Sequence, residues 1–122
     1  MMTIDQIMRV APVIPVLVID EVRIAQSIAA ALVSGGLPVL EVTLRTAGAL
    51  DVIREMRKVP GAIVGAGTVT NPSDFHRAIA AGSEFIVSPG LTTALGETAV
   101  QSGVPFLPGI ATASDLMRGL DL

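Results

Sequence analysis

Chemistry in this chain starts with one misplaced charge. Glu41 sits within the apolar run Pro38-Val39-Leu40-Glu41-Val42, and Arg45 follows four residues later. An ionised carboxylate costs several kcal/mol or so to bury unless it is paired or hydrogen-bonded. A strand that needed only packing would carry Val or Ile at position 41. If the run is a strand of a parallel sheet, its C-terminal end is where such folds bind ligands. Glu41 is therefore the first candidate for a catalytic residue. Few other residues compete with it. His76 is the only histidine and there is no cysteine, which argues against a zinc site and excludes a thiol nucleophile. No Gly-x-Ser-x-Gly motif occurs, and Gly65-Ala66-Gly67 lacks the third glycine of a dinucleotide fingerprint.

The elements that must position Glu41 read clearly along the chain. Thr3 to Arg9 predicts a short amphipathic helix. Val13 to Ile19 is rich in β-branched residues and predicts the first strand. Asp20 is placed to cap a helix over Val22 to Val33, which Gly35-Gly36 ends. The strand Val39 to Thr43 follows, then a helix from Ala47 to Lys58 capped by Thr46. Ala62 to Gly65 predicts the third strand. Asn71-Pro72-Ser73-Asp74 is a helix start, with a cap, a proline at the first helical position and an acidic first turn. Glu84 to Val87, a helix over Thr93 to Ser102, Pro105 to Leu107 and a helix started by Thr112 to Asp115 complete the series.

Five strands thus begin every 21 to 25 residues, each followed by a helix. That rhythm means a parallel sheet with right-handed crossovers. Both an open doubly wound sheet and part of an eight-fold barrel fit. A complete barrel needs roughly 200 residues or more, so 122 residues supply about five units. Small, polar or proline residues follow every strand from the second onward, a rim of loops that suits a TIM-type (β/α)8 barrel. The chain reads as one α/β domain spanning residues 1–122. It is 51% hydrophobic with a net charge of -3, and no basic patch interleaved with aromatics supports nucleic-acid binding. The N-terminus lacks a basic signal-peptide region, and the longest apolar run, Ala11 to Ile19, is too short to span a bilayer. No membrane partner and a cytoplasmic location are expected.

Four motifs then carry a family resemblance: Glu-Val-Thr-Leu-Arg at 41–45, Gly-Ala-Gly-Thr-Val at 65–69, Ser-Pro-Gly-Leu-Thr at 88–92 and Leu-Pro-Gly-Ile at 107–110. In order and spacing they resemble the KDPG/KHG aldolases of the Entner–Doudoroff pathway, and the likeness covers essentially the whole chain. The resemblance implies a (β/α)8 barrel, usually trimeric. It implies cleavage of 2-keto-3-deoxy-6-phosphogluconate to pyruvate and glyceraldehyde 3-phosphate through a lysine Schiff base, without metal or cofactor.

Carried over to this chain, the resemblance makes Glu41 the general acid/base, helped by a desolvated setting that raises its pKa. Arg45 resembles the residue that grips the pyruvate carboxylate. Thr68 resembles a second carboxylate contact, between glycines that let backbone amides approach an anion, and Pro89 resembles a pocket wall. Structural duties remain open for each: an ion pair between Glu41 and Arg45, a tight turn at Gly65–Thr68, a plain turn at Pro89. The family's Schiff-base lysine lies beyond the segment matching Leu116 to Leu122. The only lysine here, Lys58, ends a surface helix, where its charge favours the helix dipole. The 122 residues are therefore expected to be inactive alone. Two other functions are compatible with the residues: a non-catalytic half-barrel module that self-associates, and an open-sheet domain binding an anion at Gly65–Thr68. A small-molecule substrate and a homo-oligomer are the expected partners.

Overall fold

Strong local signals at helix starts fix much of the architecture. The structure is a computed structural model and describes residues 1–122. Helix α1 (Ile4–Val10) opens with a full capping box: the Gln6 N–H donates to Thr3 Oγ1 and the Gln6 side chain accepts from the Thr3 N–H. Asn71, Thr92 and Thr112 likewise accept from the third helical N–H of α4 (Pro72–Ala81), α5 (Thr93–Ser102) and α6 (Ala113–Asp121). Each satisfies a donor that the helix cannot satisfy itself.

Two expected caps are absent. Asp20 caps nothing; a 3-10 turn, Val22–Ile24, leads into α2 (Ala25–Ser34) without a side-chain cap. Helix α3 (Ala49–Met56) begins behind Gly48, later than expected, also without a side-chain cap. The Thr46 hydroxyl donates instead to the carbonyl of Ile19 at 3.3 Å, which ties the turn to the preceding unit.

The strands are β1 (Val16–Leu17), β2 (Val39–Thr43), β3 (Ile63–Gly67), β4 (Ile86–Ser88) and β5 (Phe106–Pro108). They pair in chain order, β1-β2-β3-β4-β5, and every pair is parallel. A doubly wound sheet reverses direction partway; this one never does. The sheet is an arc of a TIM-type barrel, and the open-sheet alternative is set aside. β1 is much shorter than Val13–Ile19, because it has a neighbour on one side only and Pro15 offers no N–H. β3 runs two residues further than expected, since Ala66 and Gly67 pair with Val42 and Thr43.

Side chains alternate across these strands. Leu40, Val42, Val64, Ala66 and Ile86 point outward and meet Val52, Ile53, Met56, Phe75 and Leu95 of the helices. The Phe75 ring meets Phe106 of β5 edge-on, with centroids 5.8 Å apart. The inner face is smaller: Val39 and Phe85 pack with Ile7 of α1, which closes the floor of the arc. No helix is long and apolar enough to cross a membrane.

Candidate functional site

Glu41 lies in the middle of β2, a strand buried at all five positions. Its register partners are Val16 on β1 and Gly65 on β3, so an aliphatic side chain and a bare backbone flank it. The residue is only 9% exposed. Burial alone pushes its carboxyl above the ordinary carboxylate range; no hydrogen bond or neighbouring charge offsets the desolvation. The structural duty considered for Glu41, an ion pair with Arg45, is not realised, for its carboxyl pairs with no cation.

Glu41 opens into a cavity of about 170 Å³, lined by Val16, Glu41, Thr43, Arg45, Thr68, Val87, Ser88 and Pro89. The sequence-predicted residues from the ends of β2, β3 and β4 therefore share one pocket. Arg45 stands in the turn after β2, exposed. That turn is pinned by the Leu44 N–H, which donates to Gly67 O at 2.9 Å, and by Thr46 on Ile19. The other seven cationic side chains form ion pairs within 4.0 Å; Arg45 does not. Its guanidinium keeps its charge and donors free beside the pocket.

Thr68 follows the last residue of β3 with φ 60°, the only non-glycine in the left-handed region. That backbone costs about 1–2 kcal/mol for a residue with a Cβ. Such outliers concentrate at ligand sites. The glycines before it have a different duty from the one expected. Gly65 and Gly67 are strand residues on the inner face, and their space is filled by the Phe85 ring and the Glu41 carboxyl. Pro89 is held from behind: the Gly109 N–H donates to Ser88 O at 2.8 Å, and a Cβ on Gly109 would come within 2.7 Å of the Pro89 carbonyl carbon.

Thr43, Val16, Val87 and Ser88 line the pocket without having been singled out. Thr43 was findable, lying two residues beyond Glu41 on the same strand face. Its hydroxyl donates to Leu17 O at 3.2 Å, and that of Ser88 to Gly90 O at 2.7 Å. A larger groove, about 500 Å³, lies along β5, α5 and α6, but no ionisable side chain lines it. His76 is exposed. Lys58 pairs with Glu55 at 2.6 Å on the outer surface and takes no part in the pocket.

Parallel strands in chain order, helices outside them and a polar pocket at their C-terminal ends define a (β/α)-barrel protein with its site on the usual rim. Comparison with known proteins narrows the class. The family model "KDPG and KHG aldolase" matches residues 4–122, and the chain belongs to that family. It is 58% identical over 122 residues to a 2-dehydro-3-deoxy-phosphogluconate aldolase of Zymomonas mobilis, covering all of this chain and 59% of that protein. The crystal structure of the Zymomonas mobilis 2-keto-3-deoxy-6-phosphogluconate aldolase with 3-phosphoglycerate matches with a TM-score of 0.94, over 97% of this chain and 56% of that one. A KDPG aldolase from Legionella pneumophila, with pyruvate captured as a covalent carbinolamine intermediate, matches with a TM-score of 0.93 at 42% identity, over 98% and 59% of the two chains. The chain thus spans somewhat over half the length of these relatives.

Proposed function

We propose that these 122 residues form the N-terminal part of an aldolase barrel and supply the proton-transfer and pyruvate-holding portion of its site. The reaction is cleavage of 2-keto-3-deoxy-6-phosphogluconate to pyruvate and glyceraldehyde 3-phosphate by a class I, Schiff-base aldehyde-lyase. The observation that carries the reading is the convergence of Glu41, Arg45, Thr68 and Pro89 on one pocket. The covalently captured pyruvate in the Legionella pneumophila relative supports the substrate class.

In this reading Arg45 and the Thr68 hydroxyl hold the keto-acid carboxylate, the guanidinium by paired N–H donors. Pro89 walls the pocket. Glu41 gives a proton to the departing hydroxyl of the carbinolamine, a role favoured by the burial that raises its carboxyl pKa. The resulting carboxylate takes the proton of the hydroxyl beside the breaking C–C bond and returns it to the enamine carbon. The covalent bond itself needs a lysine amine, which accepts electrons as its Schiff base and stabilises the carbanion. Lys58, outside the pocket, does not serve. The 122-residue polypeptide is accordingly inactive alone, because proton transfer supplies only about 10²–10⁴-fold. The reaction needs no metal or cofactor and belongs to the cytoplasmic Entner–Doudoroff pathway, in a homo-oligomer that the resemblance makes a trimer.

Pyruvate titration of the isotope-labelled chain tests the reading. Shifts confined to the amides around Glu41, Arg45 and Thr68 are expected, with no borohydride-stable adduct by mass spectrometry. Pyruvate that perturbs none of these amides would refute the assigned site. An adduct on Lys58 accompanied by turnover would refute the assigned inactivity.

A further inference from the structure

We propose that Gly67 is a positioning residue for Glu41: its missing side chain is the space in which the Glu41 carboxyl is held. The catalytic meaning rests on the role given to Glu41 above; the packing relationship does not. Glycines usually occupy strand positions for one of two reasons, backbone freedom or close approach. Backbone freedom is not the reason here. The glycines with positive φ are Gly36, Gly61, Gly82 and Gly103, and Gly67 is not among them. An alanine could adopt its backbone.

Close approach remains, and it is specific. A Cβ built on Gly67 would collide with Glu41 Oε1 and come within 2.6 Å of Cδ and 2.8 Å of Cγ. These three nearest atoms all belong to the one side chain. Glu41 stands opposite Gly65 in the register, one inward position before Gly67. Its carboxyl therefore leans along the strand direction, toward the rim. The place behind it is taken, because the Phe85 ring fills the space over Gly65, within 2.5 Å of where a Cβ would be. Two side-chain-free positions in alternation thus make a slot on the inner face of β3. Phe85 occupies its lower half and the Glu41 carboxyl its upper half. The apolar ring below and bare backbone beside the acid offer it no polar partner, consistent with its raised pKa.

The test is a double-mutant cycle read by thermal unfolding, joined to a carboxyl ¹³C titration. Gly67→Ala is expected to lower the unfolding midpoint of the native chain by about 5 °C or more. In the Glu41→Ala background the same change is expected to cost almost nothing. In Gly67→Ala the Glu41 carboxyl, driven toward solvent, is expected to titrate closer to its ordinary range. Should Gly67→Ala fail to fold while the double variant folds, the proposal also stands. Equal losses in both backgrounds, no loss in either, failure of both to fold, or an unchanged Glu41 titration in a folded Gly67→Ala chain would each overturn it. These outcomes are independent of pyruvate binding, so failure here and failure of the proposed function are told apart.

Discussion

Glu41 and Val16 face each other across the β1–β2 register, which sets the acid of the pocket beside a valine that is itself 61% exposed. The carboxyl is desolvated by its surroundings while still touching the cavity. Its folded-state pKa is raised from the ordinary 4.5. Above that value the native chain keeps a proton that the unfolded chain has lost, so stability falls as pH rises toward the folded pKa. Glu41→Gln removes this dependence. The variant is expected to equal the native protein near pH 4 and to exceed it at pH 7, measured by urea unfolding at both values. Glu55 and Asp115, whose pKa values are lowered, contribute with the opposite sign in both proteins and cancel in the difference.

Arg45 separates binding from folding. It is exposed and unpaired, so Arg45→Ala should change stability by no more than about 0.5 kcal/mol. Pyruvate affinity should fall roughly 10- to 100-fold, the worth of a charge-assisted hydrogen bond. Arg45→Lys should lie between, retaining charge without the fork. Paired thermal melts and pyruvate titrations measure both quantities, and equal pyruvate affinity in all three proteins would contradict the assignment.

Thr68→Gly should move the same two quantities in opposite directions. Relief of the left-handed backbone gains about 1–2 kcal/mol, less roughly 0.5–1 kcal/mol for the added freedom of glycine when unfolded. A modest net stabilisation is expected together with weaker pyruvate binding. Thr68→Ala keeps the backbone cost and loses the hydroxyl with the γ-methyl, so it should bind weakly without becoming more stable.

Asn71 offers a control on helix α4. Its Oδ1 accepts from the Asp74 N–H at 2.9 Å and its Nδ2 donates to Asp74 Oδ2, also at 2.9 Å. Asn71→Ala should cost about 1 kcal/mol of stability, read by chemical denaturation. Pyruvate affinity should remain that of the native chain, because Asn71 does not line the pocket.

Both outer strands of the arc carry an unpaired edge, since β1 and β5 each have one neighbour. Val13, Val16 and Val18 stand 54%, 61% and 54% exposed along the first. Such an edge is a template for pairing with another chain. Sedimentation of the 122-residue polypeptide at low micromolar concentration is expected to show association, and a stable monomer would contradict it.

The contrast between Asn71 and Thr46 explains what could be read from sequence. Asn71, Thr92 and Thr112 act on amides three residues away, so their neighbours alone identify them. Thr46 bonds a carbonyl 27 residues earlier, a partner known only once the strands are paired. The limits of β2 were legible from its apolar run and flanking turn. Those of β1 were not, because its extent depends on a second neighbour that Val13 to Ile19 lack. In the pocket, Glu41 stood out as a charge in an apolar strand. The packing duty of Gly65 and Gly67 stayed hidden, because a glycine does not say which distant side chain occupies its space.

The strict chain order of the sheet has a kinetic side. Each strand pairs with the one before it, and the helices meet as α2 with α3, α3 with α4 and α4 with α5. Strand pairings therefore close over one β/α unit at a time, which keeps each loop-closure cost small. On the ribosome, where synthesis delivers the N-terminal end first, β2 can dock on β1 and β3 on β2 before later units emerge. The slot for Glu41 needs only β2, β3 and the Phe85 ring, so it can be complete while α6 is still being made.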